Sequence, residues 1–277
     1  MRQHRQGAIL ALLIAALVLL LPAPGPRLAR AEALSAPGLR QIAASRPPDQ
    51  RELLAASGTL EKRRAQWPDW RLPAPLPRAR QRDLAWPDWF AGDWQVRSAV
   101  QPDGRIGAED SGAGELSWTV RFHADGRGGA VADRAFNARS IGQALLGDAL
   151  LAVQDDPANP NRQLSRLSGD RLLESTVLAR AAERPSSGPA APESFLSDEL
   201  SLQVLHRAGL EPRVSQVETL GRWQRRADGG IDGEQWQASY PSPAAGLLAI
   251  PVASDHLRLR LEPLRPDPLP PGSDRAS

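Results

Sequence analysis

From Asp93 to Leu261 the hydrophobic residues of this chain recur mostly at every second position, in short segments separated by turns rich in Gly, Pro, Asp and Asn. A period of two puts alternate side chains on opposite faces of an extended backbone, so each segment predicts a strand with one face turned to a core. Residues 116–122 alternate, and residues 124–129 supply the turn into a return strand at 130–132, which predicts a hairpin. Further strands are expected at 150–153, 163–167, 172–178, 200–206, 213–225, 235–240 and 256–261. Nine or ten antiparallel strands of this kind predict an all-β domain. A meander that closes on itself removes its own edges, so the expected form is a closed or nearly closed antiparallel β-barrel of about 8–10 strands. A two-sheet sandwich is the alternative.

Two features interrupt the alternation. Ser140 can cap a helix, Ile141, Ala144 and Leu145 sit at helical spacing and Gly147 can end it, so one short helix is expected at 140–147. Asp133, Arg134, Phe136 and Asn137 are expected to close the strand before it, with Asp133 and Arg134 on opposite faces. A buried Arg134 needs a carboxylate, and Glu174, Glu199 and Glu218 are the candidates. Arg134 then serves either a structural ion network or ligand recognition. Residues 180–194 are low in hydrophobics and read as a long mobile loop.

The first 31 residues have the composition of a secretory signal: Arg2 and Arg5, an apolar run of about 14 residues at 8–21, and Ala29-Arg30-Ala31 as a cleavage site. That run is shorter than the roughly 18 to 20 residues that span a bilayer, so no transmembrane anchor is expected after cleavage. There is no cysteine, which excludes a lipoprotein anchor, disulfides and thiolate metal sites. The four arginines of residues 1–31 leave with the signal, and the net charge of +2 becomes about −2. A near-neutral mature chain carries no nucleic-acid footprint. Residues 32–85 form an Ala-, Pro- and Arg-rich arm with a helix expected at 49–66, residues 86–262 the barrel domain, and residues 263–277 a disordered tail.

The chain has eight tryptophans. Trp67-Pro68-Asp69-Trp70 recurs as Trp86-Pro87-Asp88-Trp89, and the first copy is expected to pin the arm against the domain, or to form part of a linker or a peptide for a partner. Gly92 precedes Trp94 by two residues, a spacing that lets the backbone turn and the indole close the end of a sheet. No nucleophile elbow, dinucleotide fingerprint or phosphate loop is present, so no cofactor is expected and no particular reaction is supported. His123, His206 and His256 lack metal-ligand spacing. In the run 155–161, Pro160 and Arg166 stand where a calcium loop needs Gly and Glu, so these oxygens read as turn chemistry.

Gly92-Asp93-Trp94 is similar to the G-x-W opening of lipocalins and other calycins. Trp86 to Val96, then Ala132-Asp133-Arg134-Ala135-Phe136-Asn137, Asn159-Pro160-Asn161-Arg162-Gln163, Phe195-Leu196-Ser197-Asp198-Glu199 and Val217-Glu218-Thr219 resemble, in order, an uncharacterised family of cyanobacteria and plant chloroplasts. The resemblance spans roughly residues 65–262 and implies an exported domain, in the thylakoid lumen or periplasm, with no activity to transfer.

Two functions of different class follow. In the first, a non-enzymatic barrel binds a small apolar ligand such as a lipid, quinone or pigment, with Trp94, Trp118, Phe122, Arg134, Trp223 and Trp236 as site residues. In the second, an accessory or assembly protein docks on a photosynthetic membrane complex through Trp67, Trp70, Trp86 and Trp89. A cavity above about 300 Å³ favours the first and exposed arm aromatics favour the second. On the first reading, deletion of residues 32–85 is expected to leave ligand binding intact.

Overall fold

The computed structural model describes residues 60–101, 115–185, 192–245 and 249–264. The expected signal sequence, the start of the arm helix and nearly all of the C-terminal tail lie outside the described residues. The arm enters as helix α1 (Leu60–Ala65). The domain then runs β1 (Trp86–Pro87), β2 (Gly92–Val100), β3 (Leu116–Ala124), β4 (Gly129–Ala132), helix α2 (Arg134–Leu146), β5 (Leu150–Asp156), β6 (Asn159–Leu167), β7 (Arg171–Glu183), β8 (Ser194–Arg207), β9 (Leu210–Arg225), β10 (Ile231–Tyr240) and β11 (Ala253–Pro263).

All eleven strands belong to one antiparallel sheet in the order β1-β4-β3-β2-β11-β10-β9-β8-β7-β6-β5. Every expected strand is present, and most are longer than the alternation suggested. β7 continues through Glu183 and β8 begins at Ser194, so the expected loop at 180–194 is shorter at its N-terminal end.

The sheet curls into a half-barrel, and the expected closed or nearly closed barrel is corrected on this point. Closure would require β3 or β4 to pair with β5, but α2 stands between them and packs on both β3 and β5. The reason is local. β4 pairs with β3 only at Phe122–Ala124, which leaves the edge of β3 open at Thr119 and Arg121. Side chains of α2 take the place of a strand there. The Asn137 amide accepts from Arg121 N at 2.6 Å and donates to Arg121 O at 3.1 Å, and Ser140 Oγ accepts from Thr119 N at 3.0 Å. The helix also starts six residues before the expected position. Asp133 is its N-cap, accepting from Phe136 N at 3.1 Å, so Asp133 and Arg134 do not end a strand.

Both faces of the sheet are covered. The concave face holds one core, including Phe90, Trp94, Trp118, Phe122, Phe195, Trp223, Ile231 and Leu259, with Ala138 and Ile141 of α2. On the convex face the arm lies over β8–β10, where Leu60, Trp70 and Leu72 pack with Leu196, Leu200, Leu220, Trp236 and Tyr240. β6 pairs with β7 only up to Thr176, and beyond it the arm protects the free edge of β7. Ala79 N donates to Leu178 O, and Arg180 N donates to Pro77 O.

The arm is also held by charge. Arg63 of α1 makes a two-pronged contact with Glu218, both bonds 2.7 Å, and Tyr240 Oη donates to Glu218 at 2.8 Å. All three side chains are buried. Such a pair holds only with its hydrogen bonds complete.

Candidate ligand cavity

The concave face encloses a cavity of about 180 Å³ between the sheet and α2. Its two walls differ in chemistry. One is aromatic and aliphatic, built from Trp86, Phe90, Trp118, Phe122 and Trp223 with Ile141 of α2 and Leu259 of β11. Four of the rings, Trp86, Phe90, Phe122 and Trp223, touch in a continuous cluster, Trp86 lying 5.1 Å from Phe122 and 5.8 Å from Trp223 between centroids. These are edge contacts, the preferred geometry of aromatic pairs.

Trp223 lies flat on the sheet because its neighbours are small. A Cβ at Gly221 or Gly233 would come within 2.6 Å of the indole. Its Nε1 donates to Ser197 Oγ at 3.1 Å. Gly92, with φ of +127°, makes the turn expected before Trp94, and the Trp94 indole donates to Phe90 O at 2.7 Å.

The other wall is polar. Gln163, Ser175, Ser197, Glu199, Ser201, Gln203, Thr219 and Gln235 line the cavity from β6 to β10. Pairing sets them side by side across the sheet: Gln163 faces Ser175, Ser175 faces Gln203, and Glu199 faces Thr219.

At the edge of the cavity, Arg134 Nη1 meets Asp83 Oδ1 at 3.1 Å and Glu199 Oε1 at 3.5 Å. Arg180 reaches the same Asp83 oxygen at 3.0 Å and Glu199 at 3.1 Å. Arg134, Asp83 and Glu199 are each about a fifth exposed, so this four-charge cluster is the solvent-facing border of the cavity. Glu199 was one of the three expected partners of Arg134, while Asp83 comes from the arm.

Of the six residues expected to hold a ligand, Trp118, Phe122, Arg134 and Trp223 line the cavity. Trp94 is buried in the same core but is not part of the cavity wall. Trp236 is on the convex face, stacked on His256 at 4.9 Å, with Arg64 over its ring, and does not face the cavity. Neighbours along β10 point to opposite faces, and Gln235 takes the inward position.

The four residues expected to dock a partner are also spread out. Trp70 is fully buried and donates to Arg63 O, so it offers no surface. Trp86 belongs to the cavity wall. Trp67 and Trp89 are half-buried, one packed edge-on against Trp70 at 5.0 Å and the other stacked on Phe90 at 4.4 Å.

The polar wall and the arm's contribution of Asp83 and Leu84 were not foreseen. A signal for the first was present in β8, where Ser197, Glu199, Ser201 and Gln203 share one parity. The run 155–161 holds the β5–β6 hairpin turn at 157–158, capped by Asx hydrogen bonds as expected: Ala158 N donates to Asp156 Oδ1 and Asn161 N to Asn159 Oδ1. Among the described residues no cluster of metal-ligating side chains occurs, and no helix is long and apolar enough to cross a membrane.

A family model described as Domain of unknown function (DUF6816) matches residues 78–255. The match takes in the end of the arm and the start of β11, and so covers the cavity wall except for Leu259 and Leu261 of β11. No curated protein and no solved structure matches the chain.

Proposed function

We propose that this chain, which belongs to the DUF6816 family, is an exported, non-enzymatic module that binds one small ring compound in the cavity of its half-barrel. The observation that supports this best is the division of a 180 Å³ space into a wall of touching aromatic rings and a wall of polar side chains. An apolar void on the order of 150 Å³ already accommodates a benzene ring. The space is smaller than the roughly 300 Å³ at which drug-sized sites begin. Its occupant is therefore a single ring with few substituents rather than a whole lipid, quinone or pigment. Export to a periplasm or thylakoid lumen rests on the leader-like composition of residues 1–31.

Native mass spectrometry of the protein purified from its own host tests this reading. The expected result is one small molecule per chain, lost when Trp118 and Phe122 are both changed to Leu. A chain that carries no small molecule and instead crosslinks to a membrane complex through Trp67 or Trp89 overturns it in favour of docking.

A further inference from the structure

The polar wall holds hydrogen-bonding atoms that nothing in the described protein satisfies. Gln203 is 2% exposed and lines the cavity, yet its Oε1 has no hydrogen-bond partner among the described residues. Ser215 stands opposite Gln203 on β9, and its buried hydroxyl is also without a partner there. Gln237 is 1% exposed, and both of its amide atoms are unpaired among the described residues. It faces Thr219, a cavity residue, and has the same parity on β10 as Gln235, so it belongs to the same concave face.

Buried polar groups of folded proteins are nearly always paired, because an unpaired one keeps the full desolvation penalty. Of these groups Gln203 lines the cavity itself, and its unpaired Oε1 marks the place where a polar group of an occupant belongs, with Ser215 and Gln237 beside that wall on the same face of the sheet. The opposite wall already accounts for the ring.

We infer that the site selects a hydroxylated aromatic ring, a phenol-type compound, over a hydrocarbon ring of the same size. This rests on the ring-binding reading above and adds its specificity. A hydroxyl is the economical complement because it both donates and accepts. It can give its proton to Gln203 Oε1 and take one from a neighbouring amide or serine, which a quinone oxygen, acceptor only, cannot do. The ring itself lies against Trp118, Phe122 and Trp223. Gln203 would then decide between ligands by the asymmetry that a polar site imposes: it loses little to a ligand that pairs with it and much to one that leaves it bare.

Phenol and toluene, close in size and shape, are the probes for isothermal titration calorimetry with the full chain and with Gln203→Leu. The expected result is that the parent binds phenol about tenfold more tightly than toluene, the affinity equivalent of one buried hydrogen bond. Gln203→Leu should reverse or abolish that preference while still binding toluene. Gln203→Met, closer in shape, serves if the leucine variant does not fold, as checked by its thermal transition. If the parent binds both probes equally and the substitution changes neither affinity, the hydroxyl selection is overturned while the ring cavity stands. If neither probe binds the folded parent, the ring-binding reading fails as well.

Discussion

Asp198 is fully buried on the convex face of β8, and neither carboxyl oxygen has a hydrogen-bond partner among the described residues. Desolvation, and after it the charge of Glu218, push its pKa well above the ordinary 3.8, only partly opposed by Arg63. A raised carboxyl pKa means that the folded state holds the proton more tightly than the unfolded chain. Its stabilising effect is therefore complete below 3.8 and is lost as pH rises toward the folded-state value. The loss amounts to at most about 1.4 kcal/mol per pH unit. Asp198→Asn removes this titration, so urea midpoints taken between about pH 4.5 and 7.5 should fall less in the variant than in the parent. Parallel curves would show that Asp198 does not set the slope. A second residue prediction concerns Gly221, where an added Cβ displaces the Trp223 indole. Gly221→Ala should cost about 1–3 kcal/mol and shift tryptophan emission as the ring leaves its place. An unchanged spectrum and melting temperature would contradict the close packing of ring on sheet.

At the scale of elements, α2 does the work of a missing strand. Asn137 exchanges two hydrogen bonds with the backbone of Arg121, as a strand neighbour would. Asn137→Ala leaves Arg121 N unpaired, while Arg121 O keeps its bond from Asp133 N, and a loss of about 1–3 kcal/mol is expected, with faster hydrogen exchange at the Arg121 amide and, as the helix loosens, at Thr119. Protection unchanged at both amides would mean that the helix does not guard the edge. The existence of this helix was legible from Ile141, Ala144, Leu145 and Gly147, but its start was not. Ala132-Asp133-Arg134-Ala135 continues a strand as readily as it begins a helix, since Asp suits both a cap and a turn. What decided the matter was an open β3 edge contributed by distant sequence. For β8 the alternation was visible, but the polar parity reads as a solvated face when only one face is assumed to be covered.

At the scale of the molecule, the arm is part of the domain. It buries Trp70 against β8–β10, neutralises Glu218 through Arg63, and sends Asp83 and Leu84 to the cavity. Deletion of residues 32–85 therefore removes Leu84 from the cavity wall and Asp83 from its charged border, so on the proposed reading it should weaken ligand binding. Loss of the arm also leaves Glu218 without its cation and the convex apolar face bare. Breaking a buried ion pair costs about 3–5 kcal/mol, which in a domain of this size lowers the melting temperature by roughly 10 °C or more. A truncated chain that melts with the parent would show that the arm is dispensable.

Taken by itself, the sequence determined the strands, their antiparallel succession, the turns at Gly92 and within 155–161, and the presence of a helix between β4 and β5. Each of these is set by neighbours within a few residues, through side-chain alternation, a cap or a positive φ. Only the tertiary structure decided that the sheet stops at a half-barrel, that Trp236 faces the arm while Gln235 faces the cavity, and that the arm completes the charged border of the cavity. Alternation sorts residues into two faces without saying what covers either one. That depends on which segment, however distant in the chain, reaches the face first with matching shape and charge, as the arm does through Trp70 and Arg63.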